Sequence, residues 1–308
     1  MKSISLERLL FERVDLEKIN AIRQTFQEIK TAILALPATP ASFKRNGWET
    51  EEGKLKTLVV SELYADSAFS NLFIIFDPES ATLAWANTNE DGDLFLAFRL
   101  PKPPKEIKSK PQFNSWFVSE VKTWFQQPSS EPLFVHEFIH LLDIARIGDV
   151  FFDIVDRTTA SAKPLAELTK EVQKLKAELE RIPKGKPERK QVLVDLRKLA
   201  SKWKEAKDRH WKEYQNSPVE TNAYFNQTIA AVKEKASRAL KERGKLAALS
   251  VLGVTPQEFV SVFEKELPNH IRVDLLDPKI LKGFRKRAAI LYDQLVDEIE
   301  TGKERSLV

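Results

Sequence analysis

The chain has 308 residues, 42% of them hydrophobic and 31% charged, with a formal net charge of +4. This is an ordinary globular composition, long enough for one large core or two smaller ones, and too weakly charged overall to name a partner. It contains no cysteine, which excludes disulfides and thiolate metal sites. The opening "MKSISLERLLFERVDLEKIN" lacks an uninterrupted apolar core and carries acids early, so neither a signal peptide nor a transit peptide is expected. No run of about 18 apolar residues occurs, so no membrane span is expected either. A cytoplasmic location is the resulting expectation.

Residues 4 to 36 read as helix, with Asp15 as a cap and Ile19, Ile22, Phe26, Ile29 and Ile33 spaced by three and four. Prolines and glycines in "LPATPASFKRNGWETEEGK" break that pattern. Four β-like runs follow, "TLVVSELYA", "NLFIIF", "ATLAWANT" and "DLFLAFRL", with turn chemistry in "DPES" and "NEDGD". They predict an antiparallel meander over residues 57 to 100. "PKPPKEIKSKP" reads as a linker and "NSWFVSEVKTWFQQ" as a short helix.

The next helix is "EPLFVHEFIHLLDIARIG". It starts after Ser129 or Ser130, has Pro132 in its first turn and stops at Gly148. Nearly every position is apolar except His136, Glu137, His140, Asp143 and Arg146, which predicts a buried helix. Positions 136, 140 and 143 share one face. A polar stripe on a buried helix requires a reason.

Over residues 164 to 214 the pattern changes in kind. Leu165, Leu168, Val172, Leu175, Leu179 and Ile182 alternate at three and four, and after "PKGKPER" so do Val192, Leu196, Leu199, Trp203, Ala206 and His210. Two such seams joined by a Pro/Gly turn predict an antiparallel coiled-coil hairpin. Over residues 161 to 215, sixteen Lys and Arg face nine Asp and Glu, an excess of seven. The tip gathers Arg181, Lys184, Lys186, Arg189 and Lys190 around Glu188, which makes it a candidate docking tip for an anionic partner, nucleic acid or an acidic protein surface. Three further helices follow, "NSPVETNAYFNQTIAAVKEKASRALKERG", "TPQEFVSVFEKEL" and "DPKILKGFRKRAAILYDQLVDEIE", each opened by a cap and a proline.

"HEFIH" fits H-E-x-x-H. Histidines at i and i+4 project to one side of a helix, so both imidazoles can reach one ion, while Glu137 is placed to take a proton from water. A catalytic zinc takes three protein ligands and an open position. With cysteine absent the third is His, Asp or Glu, and Glu220 in "SPVETNAYF" is the first candidate. Ser217 and Glu220 also spell a capping box, in which Glu220 would only bond the backbone of Ser217. His210, on the hairpin seam, and His270, in "LPNHIRVD", are the rival ligands. Asp143 is a candidate to orient His140. Tyr224, four residues beyond Glu220, and Tyr214 are candidate donors to an oxyanion.

"HEFIHLLD" followed by "SPVETNAYF" resembles the zincin metallopeptidases of the gluzincin type. It is also similar to metallopeptidase-like domains of phages and mobile elements. The resemblance spans roughly residues 57 to 240. It implies Zn²⁺ held by His136, His140 and Glu220, with Glu137 as general base and a peptide or protein substrate. The implied fold is α+β and mostly helical: a zincin-like domain of residues 1–160 and 215–308, with a small antiparallel sheet and an HExxH helix, interrupted by the hairpin at 161–214. An edge strand of the sheet offers extended substrate a place to pair. Two other readings stand beside peptide hydrolysis. One is a binding or structural protein with an architectural zinc site and the basic hairpin as its interaction element; the other is hydrolysis of a non-peptide amide.

Overall fold

The computed structural model describes residues 16–45, 49–51, 54–59, 72–88 and 93–302. The predicted helix before Leu16 with its Asp15 cap, the strand "TLVVSELYA" beyond Val59, and most of the "NEDGD" turn lie outside the described residues. The architecture is α+β and mostly helical, with one mixed sheet. Among the described residues no single helix is long and apolar enough to cross a membrane.

Helix α1 (Leu16–Ala35) buries Ile19, Ile22, Phe26, Ile29 and Ile33, the stripe that the three-and-four spacing predicts. After the short α2 (Pro40–Arg45) come strands β1 (Glu49–Glu51), β2 (Lys54–Val59), β3 (Leu72–Asp77), β4 (Ala84–Thr88) and β5 (Leu94–Arg99). Their order in the sheet is β1-β2-β3-β5-β4.

The sheet corrects the predicted meander and the all-antiparallel sheet. β3 and β5 pair in parallel, Phe73 opposite Phe95, and β4 crosses to the outer side of β5, which it meets antiparallel. The physical reason lies in "NLFIIF" and "DLFLAFRL", which are apolar at almost every position. Leu72, Ile74, Phe76, Leu94, Leu96 and Phe98 join the core, while Phe73 and Phe95 stack on the opposite face at 5.1 Å. Strands apolar on both faces gain most from interior positions. β4 carries Asn87 and Thr88 and is half-exposed, so it takes the edge.

Helix α3 (Lys110–Gln126) starts earlier than the sequence pattern predicts, because the Ser109 side chain accepts from the Gln112 amide and Pro111 tolerates the first turn. Trp124 and Phe125 of α3 and Phe134 of the next helix pack beneath Phe76 and Phe98 of the sheet. That next helix, α4 (Ser130–Ile147), is the HExxH helix and is buried along most of its length. Gly148, at φ +54°, ends it and lets α5 (Asp149–Thr159) begin at once, a helix the sequence pattern does not separate.

Helices α6 (Ala162–Arg181) and α7 (Pro187–Gln215) form the hairpin. Contacts run antiparallel: Ser161 Oγ meets His210 Nδ1 at 3.0 Å, Trp203 Nε1 donates to Thr169 Oγ1 at 2.9 Å, and Arg189 donates to the carbonyls of Leu179 and Ile182. The predicted seam residues are half-buried, except for buried Val192. That is what two helices alone achieve, since each covers only one side of the other. Arg189 thereby caps α6, which withdraws one cation from the predicted docking tip.

The chain then returns through α8 (Pro218–Arg243), α9 (Lys245–Leu252), α10 (Pro256–Glu266), a 3₁₀ turn (Val273–Leu275) and α11 (Pro278–Thr301). Helix α8 packs along α4 and extends the same core towards α10 and α11, where Phe225 meets Phe263 and Phe284.

Candidate metal centre

Two helices build the site. α4 runs through the core, so its polar stripe faces protein: His136, Glu137, His140 and Asp143 are each 5–6% exposed. α8 begins against that stripe, with Glu220 in its first turn and 8% exposed. The capping box that stood as the alternative role for Glu220 does not form. Ser217 makes no side-chain cap, its Oγ is buried without a hydrogen-bond partner, and the Glu220 carboxylate turns to the histidines.

The Nε2 atoms of His136 and His140 stand 3.1 Å apart, with the rings nearly perpendicular. Glu220 Oε2 lies 3.6 Å from His136 Nε2, and Oε1 lies 3.6 Å from His140 Nε2. A tetrahedral ion with bonds of about 2.0–2.1 Å separates its ligand atoms by about 3.3 Å. The three side chains are therefore spaced as a shared ion requires, and this buried group could hold a metal ion. Glu220 Oε2 is buried without a hydrogen-bond partner, as an atom directed at an ion would be.

Burial opposes ionisation of this pair, and mutual attraction overrides it. The Glu220 carboxylate raises His140 to about 9, and the two imidazoles hold Glu220 well below the usual carboxylate range. Glu137 behaves in the opposite way. Burial pushes its carboxyl up, against the pull of His136 and His140, with Glu220 adding to the rise. A carboxyl raised beside two imidazoles is suited to taking up and giving back a proton.

The other predicted residues take different places. His210 is bound to Ser161 at the base of the hairpin and is not a ligand. His270 is not a ligand either, but its Nε2 lies 3.3 Å from the Tyr224 hydroxyl. The Tyr224 ring sits 4.8 Å from that of His136 and 5.4 Å from that of His270. Burial, and after it the Glu220 carboxylate, raise the phenols of both Tyr214 and Tyr224, so they stay neutral donors. Asp143 does not orient His140 by a direct hydrogen bond, since His140 Nδ1 has no hydrogen-bond partner. It instead accepts from Asn222 Nδ2 at 3.4 Å, and Asn226 Nδ2 donates to Asn222 O at 2.8 Å.

Two contributors escape sequence reasoning. Phe151 of α5 closes over His140 edge-to-face at 5.7 Å, and no periodicity marks it. Asn222 links α8 to α4, and its only signal is its place two residues after Glu220. Searched against family models, curated proteins and solved structures, the chain matches none of them.

Proposed function

We propose that this protein is a zinc-dependent metallopeptidase of zincin-like fold, with His136, His140 and Glu220 as metal ligands and Glu137 as general base. The observation that carries the reading is the convergence of two Nε2 atoms and one carboxylate, from separate helices, at separations suited to one ion. Two imidazoles and a carboxylate suit zinc, and three protein ligands leave a position open for chemistry. A bound zinc supplies the Lewis acidity that polarises a carbonyl and acidifies water. Glu137 accepts the proton of the attacking water and delivers it to the leaving amine nitrogen, a role its raised carboxyl favours. Tyr224 and Tyr214 remain neutral, so each has a hydroxyl proton to give to a developing oxyanion, and His270 holds the Tyr224 hydroxyl. Strand β4 lies at the sheet edge and packs against α4. Its outer backbone edge offers an extended peptide a strand to pair with.

The test is Glu137→Gln, which removes the base and leaves the three ligands. Zinc content and fold are retained, and hydrolysis of a mixed peptide substrate falls on the order of 10²-fold or more. Undiminished hydrolysis by that variant removes Glu137 from the mechanism.

A second reading, an architectural metal site in a binding protein, draws on the burial of all four groups. It predicts a zinc-loaded protein without peptidase activity, stabilised by the metal equally with Glu or Gln at position 137.

A further inference from the structure

Apart from Tyr214 at its base, the hairpin plays no part in the chemistry proposed above, and its charge is unevenly placed. Lys190, Arg197, Lys198, Lys202, Arg209 and Lys212 are all exposed. At 100° per residue they fall in one sector of α7, about 140° wide, turned away from the seam of Val192, Leu196, Leu199, Trp203, Ala206 and His210. Among the described residues none of the six forms an ion pair. The acids within the same sector are Asp208, which is taken by Arg272, and Glu205.

From Lys190 to Lys212 the row runs about 33 Å along a straight helix. One turn of a nucleic acid duplex is about 34 Å. We propose that the outward face of α7 docks on the phosphodiester backbone of a double-stranded nucleic acid. Three features favour this over other anions. Protein interfaces are depleted in lysine and centred on apolar or aromatic side chains, whereas this row has four lysines and no aromatic. Single strands are held by stacking of bases on aromatic rings, and none is offered here. A row of cations without base-reading partners contacts phosphates and releases counterions. The tip is a weaker candidate, since Arg189 is occupied by the carbonyls of Leu179 and Ile182.

The experiment is fluorescence anisotropy of the full chain with labelled 20-base-pair DNA and RNA duplexes at several salt concentrations. Five or six phosphate contacts give a slope of log affinity against log salt of about −5. Both duplexes bind comparably, because the backbone is read and not the bases. The triple charge reversal Lys198→Glu, Lys202→Glu and Arg209→Glu lowers affinity at least tenfold, with an unchanged thermal transition. The milder Lys198→Gln, Lys202→Gln and Arg209→Gln flattens the salt slope by about 2.7. Binding by either triple variant as tight as that of the wild type overturns the proposal. So does a wild-type protein that binds neither duplex at 50 mM salt, or that binds polyglutamate more tightly than either duplex.

Discussion

At Glu220 two demands compete for one carboxylate. As the third residue of a helix after Ser217 it could close a capping box, worth about 1 kcal/mol. Instead it faces two buried imidazoles and leaves the Ser217 hydroxyl buried without a partner. A buried charge pair outweighs a cap, because losing one partner strands the other charge in low dielectric. If Glu220 is a ligand to zinc as proposed, Glu220→Ala loses zinc affinity by orders of magnitude, whereas a mere cap would cost about 1 kcal/mol of stability with the metal kept. Metal analysis after dialysis separates the two outcomes.

The same pair sets the response to pH. In the metal-free protein the contribution of His140, whose imidazole is raised, is fully present below its ordinary 6.5 and lost as pH rises through about 9. Glu220 is depressed, so its contribution is present above its ordinary 4.5 and lost in strong acid. The thermal transition of the zinc-free protein should fall at alkaline pH through His140, and the raised Glu137 carboxyl adds a loss as pH rises above its ordinary 4.5. The proposed zinc requires neutral imidazole, so its binding between 6.5 and 9 is expected to expel a proton from His140 and to tighten as pH rises. Calorimetry in buffers of different ionisation heat should show about one proton released per zinc near neutral pH. No release would mean that His140 is already neutral in the free protein.

Among the elements, the hairpin is legible from its spacing because a two-helix seam needs no partner beyond itself. The leucine positions of α6 face α7, and no residue of α6 is fully buried. Replacing residues 169 to 208 by a short Gly/Ser loop should leave zinc binding intact. A truncated protein that neither folds nor holds metal would show that the seam packs on the core. The base of the hairpin is different. Gln215 is fully buried and bonds both backbone groups of Arg272, and Asn216 bonds the Leu275 carbonyl and the Asp277 amide. Gln215→Ala strands those Arg272 groups and should cost about 1–3 kcal/mol in denaturant unfolding. The strands were the least legible elements. Their lengths and turns are local, but the interior place of β3 and β5 depends on which faces the helices cover, and no window of sequence contains that.

At the scale of the molecule, the site exists because α4 and α8 are held in register. Asn222 bonds Asp143 beside the proposed ligands, while Arg23 and Gln27 of α1 bind Glu131, about one and a half turns before His136. Arg23 and Glu131 are both buried, so Arg23→Ala leaves an uncompensated carboxylate and should cost about 3–5 kcal/mol, read by thermal or denaturant unfolding. A double replacement of Arg23 and Glu131 by apolar residues of similar volume should recover much of that loss. The sequence by itself determined the longer helices, the hairpin seam, and the pairing of His136 with His140 around Glu137, because all of these depend on spacings of three and four within one element, whereas it missed the short helices Pro40–Arg45, Asp149–Thr159 and Lys245–Leu252. Only the tertiary structure decided that Glu220 serves the histidines instead of its own helix cap, that His270 supports Tyr224, and that β3 lies parallel to β5. Each of those depends on groups far apart in the chain competing for burial and hydrogen bonds, and only the packed molecule settles such a competition.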